Sequence, residues 1–114
     1  MAGQERFKEL VEKYKDRPIL LYGDPDVDGL ISLLFMCQFC DMLGLRYTYY
    51  VNDNRHHGFT LPISSLRGYL IIAADFSMSR DEIQRLVDND TVKADINKAV
   101  AISKFLFFIP NILS

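Results

Sequence analysis

Phe7, Leu10, Val11 and Tyr14 recur at i, i+3, i+4 and i+7 with charged residues between them. That spacing lines one side of a helix and predicts an amphipathic helix over about the first fifteen residues. Pro18 ends it and opens a short apolar run, Ile19-Leu20-Leu21-Tyr22, which reads as a buried strand. Leu30 to Leu43 is apolar on nearly every side, the pattern of a buried helix, and Gly44 stands where a left-handed C-terminal cap belongs. Leu45 to Val51 is rich in aromatic and β-branched residues with apolar residues at alternate positions, the pattern of a strand. Asn52 to Pro62 is a polar loop containing Arg55, His56, His57 and Gly58, and Tyr69 to Ala74 is another buried strand that ends at Asp75. Ser79 followed by Glu82 is a capping-box signature, and Ile83, Leu86 and Val87 give the next helix an apolar stripe. From Ala94 onward, Ile96, Ala99, Val100, Ser103 and Phe107 fall near helical spacing, although Phe105 to Ile109 would equally make a strand; Pro110 interrupts either.

Strand, helix, strand, loop, strand, helix is the order of a parallel α/β sheet, Rossmann-like, with helices on both faces. Ligands of such sheets gather beyond the carboxyl ends of the strands. Asp24, Asp26 and Asp28 follow the first strand and Asp75 follows the third, so neighbouring strands would bring four carboxylates to one edge.

Composition narrows the possibilities. A chain of 114 residues with 49% hydrophobic and 25% charged residues has the balance of one small folded domain, or part of a larger one. The formal net charge of −2 argues against a generally basic surface that coats nucleic acid, so any such contact is local or metal-mediated. No apolar run is long enough to span a bilayer, and the start Met1-Ala2-Gly3-Gln4-Glu5-Arg6 does not resemble a secretory signal. Cys37 and Cys40 form a CxxC well inside a helix, without the second pair of a zinc ribbon or the helix-start position of a redox motif. They read as two small core residues in a protein of the reducing cytoplasm.

The segment Gly23-Asp24-Pro25-Asp26-Val27-Asp28-Gly29 carries the chemistry. Three acids this close repel one another, and hard divalent cations such as magnesium and manganese favour carboxylate oxygens. A calcium loop of the EF-hand type would need a bidentate Glu at its twelfth position; counted from Asp24, that position is Phe35, and a strand precedes the loop. The alternative is a plain acidic turn whose Asp28 caps the following helix. Three aspartates at alternate positions, with a fourth at another strand end, favour metal.

These residues resemble a known family. GDPDVDG after a short strand is similar to the first motif of the DHH phosphoesterase superfamily, in particular of RecJ-type single-strand DNA exonucleases. Tyr69 to Asp75 resembles the second motif, a strand ending in a metal-binding Asp, and Asn54-Arg55-His56-His57-Gly58-Phe59 resembles the Asn-Arg…Gly-aromatic loop between them. The resemblance implies that Asp24, Asp26, Asp28 and Asp75 hold one or two divalent ions, manganese foremost and magnesium next, with Asp26 and Asp75 catalytic. It implies hydrolysis of phosphodiesters in single-stranded DNA, with Arg55 and His57 near phosphate. It covers about residues 15 to 90, so residues 1–90 read as a partial DHH domain and 91–114 as a divergent tail. The family's Asp-His-His triplet is absent from the sequence, and His56-His57 stands in a loop before the second motif rather than in the triplet's place. A truncated, split or interrupted gene product is therefore expected, active only with a completing polypeptide or a second copy. The competing reading is a non-catalytic α/β fragment that binds or regulates a partner protein. A small nucleotide-binding domain fits least, because the first turn has only Gly23 and Gly29 as glycines and its acids would repel phosphate.

Overall fold

The computed structural model describes residues 2–53, 60–74, 76 and 78–97. Helix α1 (Ala2–Tyr14) leads into strand β1 (Ile19–Gly23), helix α2 (Val27–Met42) and strand β2 (Tyr47–Val51). A 3-10 turn over Ile63–Leu66 precedes strand β3 (Leu70–Ala74), helix α3 (Arg80–Asp88) and strand β4 (Val92–Ile96). The strands form one sheet in the order β2-β1-β3-β4, and every pairing is parallel. This is the expected α/β fold with helices on both faces.

Alternation along the central strands sorts the core into two layers. Ile19 and Leu21 of β1, with Leu70 and Ile72 of β3, face Val11 of α1 and Leu33, Phe35, Met36 and Cys40 of α2. Leu20, Tyr22, Ile71 and Ala73 face the opposite way, against Leu66, Phe76 and Leu86. α2 packs tightly on β1 at Gly23, where a Cβ would sit 3.1 Å from the Leu33 side chain.

Three expectations need correction. Helix α2 is not buried on all sides. Ser32, Leu33, Phe35, Met36 and Cys40 are buried, but Val27 is 71% and Leu34 57% exposed, with Leu30 and Ile31 also exposed. A helix laid on a sheet hides only the side it packs with, and among the described residues nothing covers the outer side of α2. The α3 stripe is likewise narrower than its spacing suggests: Leu86 is buried, whereas Ile83 and Val87 stand in the solvent. Ala94 and Ile96, expected to open a stretch at helical spacing, instead belong to strand β4. Val92, Ala94 and Ile96 point into the α1/α2 layer of the core, with Ala94 fully buried, and Lys93 and Asp95 alternate with them. That is a period of two, which the intervening charges disguise. The sheet thus runs on into the stretch expected to be a tail; the remaining residues of that tail, 98–114, lie outside the described residues.

The small signals hold. Gly44 has φ +68° at the end of α2, and Ser79 and Glu82 close a reciprocal capping box on α3. Cys40 is buried and Cys37 half-buried. Burial pushes the Cys40 thiol up to about 12 and raises Cys37 as well, so neither is a ready thiolate at neutral pH. At the amino end of the sheet, Arg17 donates to the Asp90 carbonyl at 3.0 Å and to its carboxylate at 3.2 Å. The Gly68 amide reaches the same carbonyl at 3.0 Å, and the buried Thr91 hydroxyl donates to the Leu66 carbonyl at 2.9 Å. Among the described residues, no helix is long and apolar enough to cross a membrane.

Candidate functional site

Since β1 and β3 are parallel neighbours with Tyr22 level with Ala73, their carboxyl ends leave the sheet on one edge. The acidic turn follows β1 there. Pro25 holds a fixed φ, and Asp26 takes an extended conformation (φ −73°, ψ 170°) as the N-cap of α2. Its Oδ1 accepts from the Gly29 amide at 2.6 Å. The cap of α2 is therefore Asp26, and Asp28 lies in the first turn of the helix, where a negative charge favours the positive end of the helix dipole. Asp26 and Asp28 are exposed and Asp24 is half-buried.

Gly29 explains why the motif ends in glycine. A Cβ there would lie 2.4 Å from the Asp24 carbonyl oxygen and 2.8 Å from Asp26 Oδ1. Only a residue without a side chain lets the helix start fold so tightly against the turn.

Of the remaining predicted site residues, Asp75, Arg55 and His57 lie outside the described residues. Among the described residues, no three or more His, Cys, Asp or Glu side chains gather in a way that could hold a metal. Asp24, Asp26 and Asp28 thus do not form a metal centre by themselves. Their hard oxygen donors suit a divalent ion chemically, but a carboxylate from another segment is needed to complete a cage.

The same edge carries groups that the sequence reading passed over. β2 ends at Val51, and the Asn52 amide extends the ladder by donating to the Gly23 carbonyl at 2.7 Å. Asn52 is buried, and its side-chain oxygen accepts from the Tyr22 hydroxyl and from the Thr60 hydroxyl, the latter at 2.8 Å. The Thr60 amide in turn donates to the Tyr22 oxygen at 3.2 Å, and the Tyr50 and Thr60 hydroxyls are 3.2 Å apart. The Tyr22 ring stacks on Tyr50 at 5.5 Å and meets Phe76 edge-on at 4.7 Å. Burial pushes its phenol up, keeping it a donor well above neutral pH. On the far side of β3, Lys93 donates to the Phe76 carbonyl and lies 3.7 Å from the Asp95 carboxylate, whose other oxygen is 3.5 Å from the Phe76 amide. A polar residue directly after a strand, as Asn52 is, was the available signal. Its partner Thr60 lies eight positions further on, beyond any local pattern.

No family model matches this chain, and no curated protein matches it. Its fold is similar to that of a solved structure, the crystal structure of exonuclease RecJ bound to manganese, with a TM-score of 0.62 and 19% identity. The chain has a RecJ-like fold. The similarity covers 83% of this chain and 27% of that one, so the chain spans only about a quarter of the RecJ structure it resembles.

Proposed function

We propose that this chain is a metal-dependent phosphoesterase module of the DHH class acting on single-stranded DNA, and that turnover requires a completing polypeptide. The observation that carries this reading is the parallel neighbourhood of β1 and β3, each followed in sequence by aspartate at the carboxyl edge, in a RecJ-like fold. Asp24, Asp26, Asp28 and Asp75 would supply the oxygen donors, and Arg55, with His57 two positions on, would orient the phosphate through its planar guanidinium. A bound divalent ion supplies charge neutralisation and acidifies water for attack on a phosphodiester. Asp26 has two tasks, since one of its oxygens caps α2. The sequence holds no Asp-His-His triplet, and β4 (Val92–Ile96) carries no histidine, so the isolated chain should bind metal weakly.

Titration calorimetry with manganese tests the reading on the parent, Asp26→Asn and Asp75→Asn. Asparagine caps helices about as well as aspartate, so Asp26→Asn removes charge without loosening α2. Each substitution should weaken binding about tenfold or more, as expected when a metal loses a charged ligand. Identical heats in all three proteins would overturn the metal site. The second reading, a non-catalytic fragment that associates with a partner, is favoured by the bare outer side of α2, where Val27, Leu30, Ile31 and Leu34 meet solvent.

A further inference from the structure

The two edges of the sheet are finished differently. β4 sets Lys93 and Asp95 among its five residues, and charge on an edge strand discourages a further strand from pairing there. β2, the opposite edge, reads Tyr47-Thr48-Tyr49-Tyr50-Val51, with no charge and no proline. Its register with β1 is unbroken, so no bulge twists it away. We infer that β2 is an interaction surface whose partner is a second copy of this chain, the two β2 strands pairing antiparallel about a two-fold axis at Tyr49. The inference draws on neither the metal site nor the nuclease reading.

The backbone fixes the register of that pairing. The Asn52 amide donates to the Gly23 carbonyl of β1, and backbone groups alternate along a strand. Those of Thr48 and Tyr50 therefore also turn toward β1, and those of Tyr47, Tyr49 and Val51 turn outward. Centring the axis on Tyr49 sets Tyr49 against its own copy and Tyr47 against the copy's Val51. Antiparallel residues paired in this way exchange both their N–H···O=C bonds, so every outward amide and carbonyl of β2 is satisfied. The opposed side chains are aromatic on aromatic, aromatic on β-branched, and Thr48 on Tyr50, with no like charges facing.

The side chains above the edge point to the same partner. Of the ten large hydrophobic side chains exposed among the described residues, eight lie on α2, at its end, or on β2, so the apolar surface is concentrated there. Tyr47, Tyr49 and Val51 share the sheet face of Ile19 and Leu21, beneath α2. Asp41 of α2 accepts from the Tyr47 hydroxyl at 2.9 Å, so this flank of the helix overhangs the edge. Leu34 lies two turns before Asp41 on that flank, and Leu30 one turn further. A two-fold axis beside β2 therefore also sets α2 next to its copy, and the only charges of α2, Asp28 and Asp41, sit near its two ends. Val27, Leu30, Ile31, Leu34, Tyr49 and Val51 together expose on the order of 600 Å², and strand pairing adds the backbone of the edge, bringing each copy near the ~800 Å² that one partner of a standard-size interface buries.

Sedimentation velocity on the full chain from about 1 to 200 µM tests the pairing, together with amide hydrogen exchange along β2. The parent should pass from monomer to dimer with a Kd of about 10 µM. Tyr49→Lys, which confronts two ammonium groups at the axis, and Leu34→Glu should each weaken association about thirtyfold or more. Val87→Glu is the matched control: Val87 is 65% exposed, against 66% for Tyr49, but stands on α3, and its substitution should leave Kd within about twofold. On dimerisation the parent's Tyr49 amide should slow about tenfold beyond any change at the core Leu21 amide, because only an outward amide gains a new acceptor. A parent that stays monomeric throughout overturns the pairing and leaves this flank to a different polypeptide. A dimer whose Tyr49 amide gains no protection, or one that Tyr49→Lys leaves intact, overturns β2 as its seat. The exchange measurement needs the parent alone, so it decides the question even where a variant fails to fold, and manganese calorimetry decides the nuclease reading separately.

Discussion

The two ends of this sheet are built from similar polar residues for opposite purposes. At the amino end, charge is matched within the fold: Arg17 reaches across to Asp90, and Gly68 and Thr91 close the turns around them. At the carboxyl end, Asp24, Asp26 and Asp28 crowd one turn, with Asp53 just past β2 and Asp95 near the close of β4. Even the strained backbone belongs to the amino end, where Asp90 takes φ +55° and Gly68 φ +78° to turn the chain back into strands. One end spends its polar groups on holding strands in register. The other sets several carboxylates close together, with Asp26 capping α2 and Asp95 beside Lys93.

Substitutions at each end should therefore read out differently. The largest effect is expected from Gly29→Ala, because the new Cβ would press on the Asp24 backbone, which has no flexible tip to move aside. A loss of about 3 kcal/mol in denaturant unfolding is expected, together with weaker manganese binding. Thr91→Val at the opposite end should lower stability by about 1 kcal/mol, since the Leu66 carbonyl loses its buried hydroxyl donor, with manganese affinity unchanged. A Thr91 variant that lost metal binding would erase the contrast. The smallest effect is an alkaline one. Burial raises the Tyr22 phenol in the folded state, so its contribution is complete below the ordinary tyrosine value near pH 10 and is lost as pH rises through the folded value. Thermal melts between about pH 9 and 11 should fall more steeply for the parent than for Tyr22→Phe.

Much of this was legible in the chain. Ile19 to Tyr22 and Leu70 to Ala74 announced themselves as buried strands because both faces of a central parallel strand are covered, and Ser79 with Glu82 marked a helix start by local chemistry alone. β4 was hidden because it is a partly exposed strand whose Lys93 and Asp95 break the apolar run, while Ile96 happens to fall in step with later residues at helical spacing. The acidic turn was visible at the end of the first strand, but the cap role of Asp26 over Asp28 depended on a backbone angle that no spacing encodes. The hydroxyl cluster at Tyr22 joins residues from three segments, and such long-range polar closure leaves no periodic trace.

The open flank of α2 has a practical consequence for anyone handling the protein. Val27, Leu30, Ile31 and Leu34 form a greasy row on a helix that water must otherwise wet. Sulfate and phosphate buffers, which penalise wetted hydrocarbon, should drive the material onto phenyl resins and out of solution sooner than chloride does.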